Sequence, residues 1–273
     1  MNTTPDIWSS HFGFTRTPFT KSVPADKLFE RAAHKQAVAR IQHCIAESAL
    51  AVLTGDVGVG KTVAVRAAVA RLDRTRYTVI YLANPSGGCR GLYVTITAAL
   101  GANPRFYKAE AINQVTELLA AEQTERHRKV VFIIDESHLL SPAQLEELRL
   151  MSNSQMDSAS PFAGILVGQA TLTQRLRQGV FTALDQRISV RFSIPNMDLA
   201  ESVAYLRHHL TLAGRTDPLI ADDAAARLHR YANGLPRALN NAATAALIAA
   251  AADSKGLVDD VCAKKAVAEL TRS

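Results

Sequence analysis

Short apolar runs alternate along the chain with longer stretches in which apolar positions recur every three or four residues. Residues 49–54, 77–83, 129–134, 162–168 and 190–194 are nearly continuous in apolar, β-branched or aromatic side chains, and each predicts a strand. Residues 62–72, 91–100, 111–126, 142–151 and 172–177 carry helical spacing between and after those strands. Strands apolar on both faces and separated by helices predict a parallel sheet covered on both sides, an α/β fold. After Pro195 the strand pattern stops. Residues 198–213, 221–232, 236–252 and 258–271 read as helices. Asp222, Asp223, Asp259 and Asp260 fall at helix starts, where carboxylates satisfy free N–H groups, and Gly214 and Gly234 fall at helix ends. The expected organisation is an α/β core with an N-terminal lead segment over 1–196 and a small helical domain over 197–273.

Composition narrows the class. The 273 residues, 48% hydrophobic and 21% charged, form an ordinary globular mix that excludes disorder along the whole chain. Cys44, Cys89 and Cys262 lie far apart, which excludes a disulfide scaffold and offers no paired zinc spacing, so reduced thiols are expected. The most apolar stretch, 242–252, is alanine-rich and about half the ~20 residues a bilayer requires, so it reads as a packed helix. Residues 1–8 lack a basic start followed by an apolar run. A cytoplasmic protein with no membrane partner is expected.

The net charge of +6 is unevenly spread. Between Lys61 and Lys108, eight basic residues face the single acid Asp73. Such a segment fits a polyanion footprint, and it also fits a solubilising face beside a nucleotide pocket.

The first strand runs into Gly55, Asp56, Val57, Gly58, Val59, Gly60, Lys61 and Thr62, with Val63 continuing into a helix. This is a G-x-x-x-x-G-K-[ST] phosphate loop in strand–loop–helix context. Glycines let backbone N–H groups curl around phosphate oxygens, and the helix N-terminus adds partial positive charge. Lys61 brings a point charge to the β and γ phosphates, and the Thr62 hydroxyl can ligate Mg²⁺. The third apolar strand ends in Asp135 and Glu136. Asp135 fits the Mg²⁺ partner and Glu136 the base that polarises the attacking water. His138 follows, read as a solvent or helix-start histidine ahead of a specific contact.

Three further positions fit the same chemistry. Gln169, at the end of the fourth strand, fits a contact to the water or the γ-phosphate, or a loop-start amide. Arg187, just before the last strand, fits a guanidinium reaching a neighbouring subunit's nucleotide, with Arg191 in reserve and a surface ion pair as the alternative. Gly234, Leu235, Pro236 and Arg237 open a lid helix, with Pro236 setting its first turn and Arg237 pointing toward the phosphates.

In this order, these motifs resemble an AAA+ ATPase. More narrowly, the chain resembles the ExeA/GspA-type ATPase family. Phe12-Gly13-Phe14, Pro18-Phe19, Leu53-Thr54-Gly55-Asp56-Val57-Gly58, Ile134-Asp135-Glu136, Ile165-Leu166-Val167-Gly168-Gln169 and Gly234-Leu235-Pro236-Arg237-Ala238-Leu239-Asn240 carry that likeness. It is also similar to DNA transposition regulators of the TnsC, TniB and Mu B kind. The resemblance implies a sheet of order 5-1-4-3-2, ATP and Mg²⁺, and assembly into a ring or helical filament with the site at a subunit boundary. The leading expectation is an ATPase that assembles with ATP on duplex DNA, recruits or activates a transposase or other recombination protein, and comes apart on hydrolysis. Arg90, Arg105 and Lys108, after the second strand, are the candidate DNA contacts. A secretion-assembly ATPase stands second, because the family's secretion proteins carry a membrane span and a cell-wall module after the ATPase and this sequence ends at Ser273. A nucleotide-gated scaffold with little hydrolysis stands third, weakened by Glu136 and Arg187.

Overall fold

A computed structural model describes residues 7–20, 23–153 and 160–272. In chain order the elements are α1 (Ile7–His11), α2 (Ala32–Ala46), β1 (Leu50–Thr54), α3 (Lys61–Ala70), β2 (Tyr77–Leu82), α4 (Gly88–Ala99), α5 (Lys108–Thr124), β3 (Lys129–Ile134), α6 (Pro142–Met151), β4 (Phe162–Gly168), α7 (Ala170–Leu176), α8 (Thr182–Arg187), β5 (Ile188–Ser193), α9 (Leu199–Leu212), α10 (Asp222–Ala232), α11 (Pro236–Ala252) and α12 (Asp260–Arg272).

The five strands form one parallel sheet in the order β2-β3-β4-β1-β5, the order implied by the family resemblance. Position in the sheet explains strand composition. β1 and β4 are buried throughout and β3 at every residue but Lys129, so they read as continuous apolar runs. β2 and β5 are edges with a neighbour on one side, and Val79 and Tyr81 of β2 reach solvent. Ile80, Phe132, Ile134 and Leu166 from the strands meet Leu92, Ile96, Val115, Leu119 and Leu145 from the helices in the core of this unit. Burying each such side chain contributes roughly 1.5–3 kcal/mol.

The chain divides into two compact units. One comprises Ala32–Gly55 and Lys61–Ile194; the other comprises residues 1–31, Asp56–Gly60 and Pro195–Ser273. In the second, Phe12, Phe14 and Phe19 of the lead segment share a core with Leu206, Leu210, Leu228, Leu239 and Leu247. The alanine-rich stretch is indeed a packed helix, because Ala242, Ala243, Ala246 and Ala250 of α11 are fully buried. Among the described residues no helix is long and apolar enough to cross a membrane.

Helix starts differ in detail from expectation. Asp198, one residue before α9, forms a capping box with Glu201, which the pattern alone does not reveal. Asp259 accepts the Cys262 N–H at 2.9 Å as expected of a start residue, but Asp260 is turned to an ion pair with Arg227. α1, α2 and α8 are additional helices. The buried residues of α2, Ala37, Val38, Ile41, Cys44 and Ile45, follow a helical stripe and lie against the sheet unit.

His209 on α9 is buried among Phe19, Tyr205 and His208. Burial, with the charges of His208 and Arg16, pushes its imidazole down to about 4 from an ordinary 6.5. The unfolded chain therefore takes up a proton that the folded chain refuses. Stability is fully present above the unfolded value and falls as pH drops through the window from 6.5 to 4, by about 3 kcal/mol when fully developed. Denaturant unfolding at pH 7 and pH 5 should show part of this loss, and His209→Leu should flatten the slope.

Candidate functional site

β1 delivers the chain at Gly55 to the phosphate loop, and α3 takes it up at Lys61. Lys61 is buried, and its ammonium donates to the Gly55 carbonyl at 2.8 Å, so the side chain folds back along the loop's own base. One residue on, the Thr62 hydroxyl donates to Asp135 Oδ2 at 2.8 Å.

Asp135 follows directly on β3 and is buried. Its Oδ2 accepts from Thr62 and from the Tyr81 hydroxyl at 2.9 Å, and its Oδ1 accepts the Glu136 N–H at 2.9 Å. Tyr81 is a site residue that the sequence reading missed. Its signal was its place one residue from the end of β2, the strand next to β3. Burial first, then the bond to Asp135 and the nearby Asp135 and Glu136 charges, pushes the phenol up to about 12, so it remains a donor at neutral pH. Glu136 takes a left-handed conformation at φ 50° and ψ 33°. A non-glycine residue there stores strain of order 1–3 kcal/mol. The turn leaves the Glu136 carboxylate half-exposed while its neighbour Asp135 stays buried.

Gln169 follows β4 and opens α7. Its amide nitrogen lies 3.1 Å from His138 Nε2, and His138 Nδ1 lies 3.5 Å from Glu136 Oε2. His138 thus stands between Gln169 and Glu136 and is mostly buried, so the solvent-histidine alternative is set aside. Gln169 reaches the acidic pair through that imidazole. Arg187 ends α8 immediately before β5, and its guanidinium donates to the Ser152 carbonyl at 3.4 Å. Arg191 pairs with Asp185 at 2.9 Å and also donates to the Asp185 carbonyl, so its charge is committed within its own chain.

The loop residues Asp56–Gly60 group with the helical unit. Asn196 donates to Asp56 Oδ2 at 3.1 Å. Gly58, at φ +86°, leaves no room for a side chain, because a Cβ there would stand 2.9 Å from Arg237 Cβ. The Arg237 N–H lies 3.4 Å from the Gly58 carbonyl. Arg237 is therefore beside the loop, at the start of α11 behind Pro236, with an exposed side chain.

The three candidate DNA contacts gather around one loop between α4 and α5. Arg90 and Arg105 are exposed. Lys108 is tied to the buried Glu147, which also accepts from the Tyr93 hydroxyl.

Thr62 and Asp135 offer adjacent oxygen donors of the kind a hard divalent cation takes. Among the described residues no group of three or more His, Cys, Asp or Glu side chains is placed to hold a metal.

Comparison with known proteins places this geometry in context. Residues 45–176 match the family model described as an AAA domain. General secretion pathway protein A of Aeromonas hydrophila is 31% identical over 250 residues, covering 89% of this chain and 45% of that protein. The chain thus spans less than half the length of this curated relative. The Aeropyrum pernix ORC2 protein in ADPNP–ADP complexes superposes with a TM-score of 0.70 at 17% identity, over 92% of this chain and 71% of that one. Cdc6p from Pyrobaculum aerophilum gives 0.71 at 16% identity over 92% and 70%. The Thermotoga maritima RuvB Holliday junction branch migration motor gives 0.56 at 17% over 86% and 69%. The fold is that of P-loop AAA+ proteins.

Gly234 supplies the test of the turn before Arg237. It sits at φ +68°, and a Cβ there would lie 2.0 Å from the Met197 carbonyl oxygen, whose own N–H donates to Gly234 O. Gly234→Ala combines backbone strain with overpacking and should cost about 2–4 kcal/mol. Denaturant unfolding checks this.

Proposed function

We propose that this chain is a Mg²⁺-dependent ATPase that self-associates with ATP on duplex DNA, as a ring or filament, and there recruits or activates a transposase or other recombination protein. The observation that carries the ATPase reading is the buried Asp135 carboxylate joined to Thr62, beside the half-exposed Glu136. In this reading the Gly55–Val63 segment cradles the phosphates, and Lys61 leaves the Gly55 carbonyl to meet the β and γ phosphates. Thr62 and Asp135 would hold Mg²⁺, which would neutralise phosphate charge. Glu136 takes a proton from the water that attacks the γ-phosphorus, and ADP and phosphate leave. Gln169 and His138 orient Glu136. Arg187 of one copy meets the γ-phosphate of the next, with Arg191 in reserve. Arg237 reports from the lid helix.

The DNA reading is supported by the basic segment and by the exposed Arg90 and Arg105. Solved structures of this fold include the Aeropyrum pernix ORC1 protein in complex with DNA, at 16% identity and a TM-score of 0.64. A second reading, a secretion-assembly ATPase, is favoured by the likeness to general secretion pathway protein A. Co-fractionation with membranes would favour that reading.

Hydrolysis and DNA-binding measurements test the proposal. Glu136→Gln should abolish the single-turnover burst of hydrolysis while ATP still binds, and an unchanged rate would remove Glu136 as the base. Arg187→Ala should keep nucleotide binding and lower hydrolysis on the order of 10³-fold. Mixing it with Glu136→Gln protein should restore part of the activity when the arginine acts between copies. Filter binding of duplex DNA at rising salt should show ATP-dependent affinity that falls steeply with salt. Arg90→Ala and Arg105→Ala should each lower that salt slope by about 1. Binding that ignores ATP would overturn the assembly.

A further inference from the structure

Phe106 and Tyr107 are the most exposed aromatic residues among those described, at 73% and 67%. Both lie in the loop between α4 and α5, with ring centroids 5.4 Å apart and planes at 88°. Water does not favour a pair of apolar rings on a surface, so their display calls for a cause. The loop is built to hold them. The Gln114 side chain on α5 spans it, accepting the Arg105 N–H at 3.1 Å and donating to the Asn103 carbonyl at 2.9 Å. Just after the rings, Lys108 is anchored to Glu147 of α6, and Tyr93 of α4 shares that carboxylate.

The surroundings of the rings are cationic. The Arg90 guanidinium carbon lies 5.1 Å from the Phe106 ring centre and covers one side of it. Between Asp73 and Glu110 the sequence holds five basic residues and no acid. Among the described residues neither Arg90 nor Arg105 has a carboxylate partner. Glu147 is buried and already joined to Lys108. An aromatic platform rimmed by guanidinium groups suits a polyanion that also carries flat π faces, which describes nucleic acid. In a paired duplex the base faces are covered by their neighbours. In an unpaired strand they are open.

We propose that Phe106 and Tyr107 form a stacking platform for the bases of unpaired DNA, with Arg90 and Arg105 on its phosphates. This rests on the DNA-binding reading above and adds to it a contact that distinguishes single strands from duplex.

The test uses the full chain with a fluorescein-labelled single-stranded oligonucleotide and with its perfectly paired duplex, each titrated with and without ATP. Phe106→Ala should weaken single-strand binding by at least about fivefold, with its salt slope preserved, because stacking releases no counterions. Duplex binding should be unchanged. Phe106→Trp should restore the single-strand affinity. An equal loss on both ligands would assign Phe106 to the fold or to general affinity and overturn the platform. No loss on either would overturn it as well and leave the rings to a protein partner. Wild-type protein that binds the single strand through Phe106 but lacks ATP-dependent duplex binding would refute the proposed function and leave the platform standing. The converse result would refute the platform alone.

Discussion

The α/β unit is organised around one buried carboxylate. Asp135 collects donors from three places: the Thr62 hydroxyl on α3, the Tyr81 hydroxyl on β2 and the Glu136 N–H in the turn after β3. A buried carboxylate without such partners would be expensive to keep ionised. With them it joins the end of β2, the end of β3 and the first turn of α3 at the carboxyl edge of the sheet, where parallel α/β folds bind ligands. β1 and β3 are not neighbours, because β4 runs between them. β4 ends in Gly168, where a Cβ would stand 3.1 Å from the His138 backbone nitrogen and 3.1 Å from Leu172. The absent side chain lets the turn after β3 close down over the end of β4.

The same turn governs the polar chain to Gln169. Glu136 turns left-handed, the chain reverses through Ser137, and His138 comes between the Glu136 carboxylate and the Gln169 amide. The strain at Glu136 and the Asp135 hydrogen bonds therefore belong to one construction. It keeps one carboxylate buried and fully bonded and leaves the next half-exposed, a division of environments suited to separate roles for two acids.

α6 begins shortly after that turn and extends its influence across the unit. Ser141 and Gln144 form its capping box, and the Gln144 side chain also donates to the Pro85 carbonyl after β2 at 2.7 Å. Glu147, three residues further and on the same face, holds Lys108 and Tyr93. Two buried polar side chains on one helix thus support the loop after β2 and the basic, aromatic loop after α4. Fold likeness to ORC, Cdc6 and RuvB structures extends to the frame, whereas these side chains belong to the chain's own site, where function resides.

Much of this was legible in sequence because the determinants are local. Strands 129–134 and 162–168 and helices 142–151 and 236–252 have the expected boundaries, since apolar runs and Ser–Pro or Leu–Pro starts mark them along the chain. The phosphate loop and the Asp135–Glu136 pair were legible for the same reason: each motif is contiguous. The helical stripe of α2 was masked by interleaved Lys, Gln and Arg. Tyr81, His138 and the commitment of Arg191 to Asp185 depend on partners 54, 31 and 6 residues away. The sequence by itself determined the order of elements and the phosphate-loop motif, because periodicity and contiguous motifs act over a few residues. Tertiary structure alone decided which side chains share the Asp135 carboxylate, because the crossovers of a parallel sheet bring together strand ends that lie far apart along the chain.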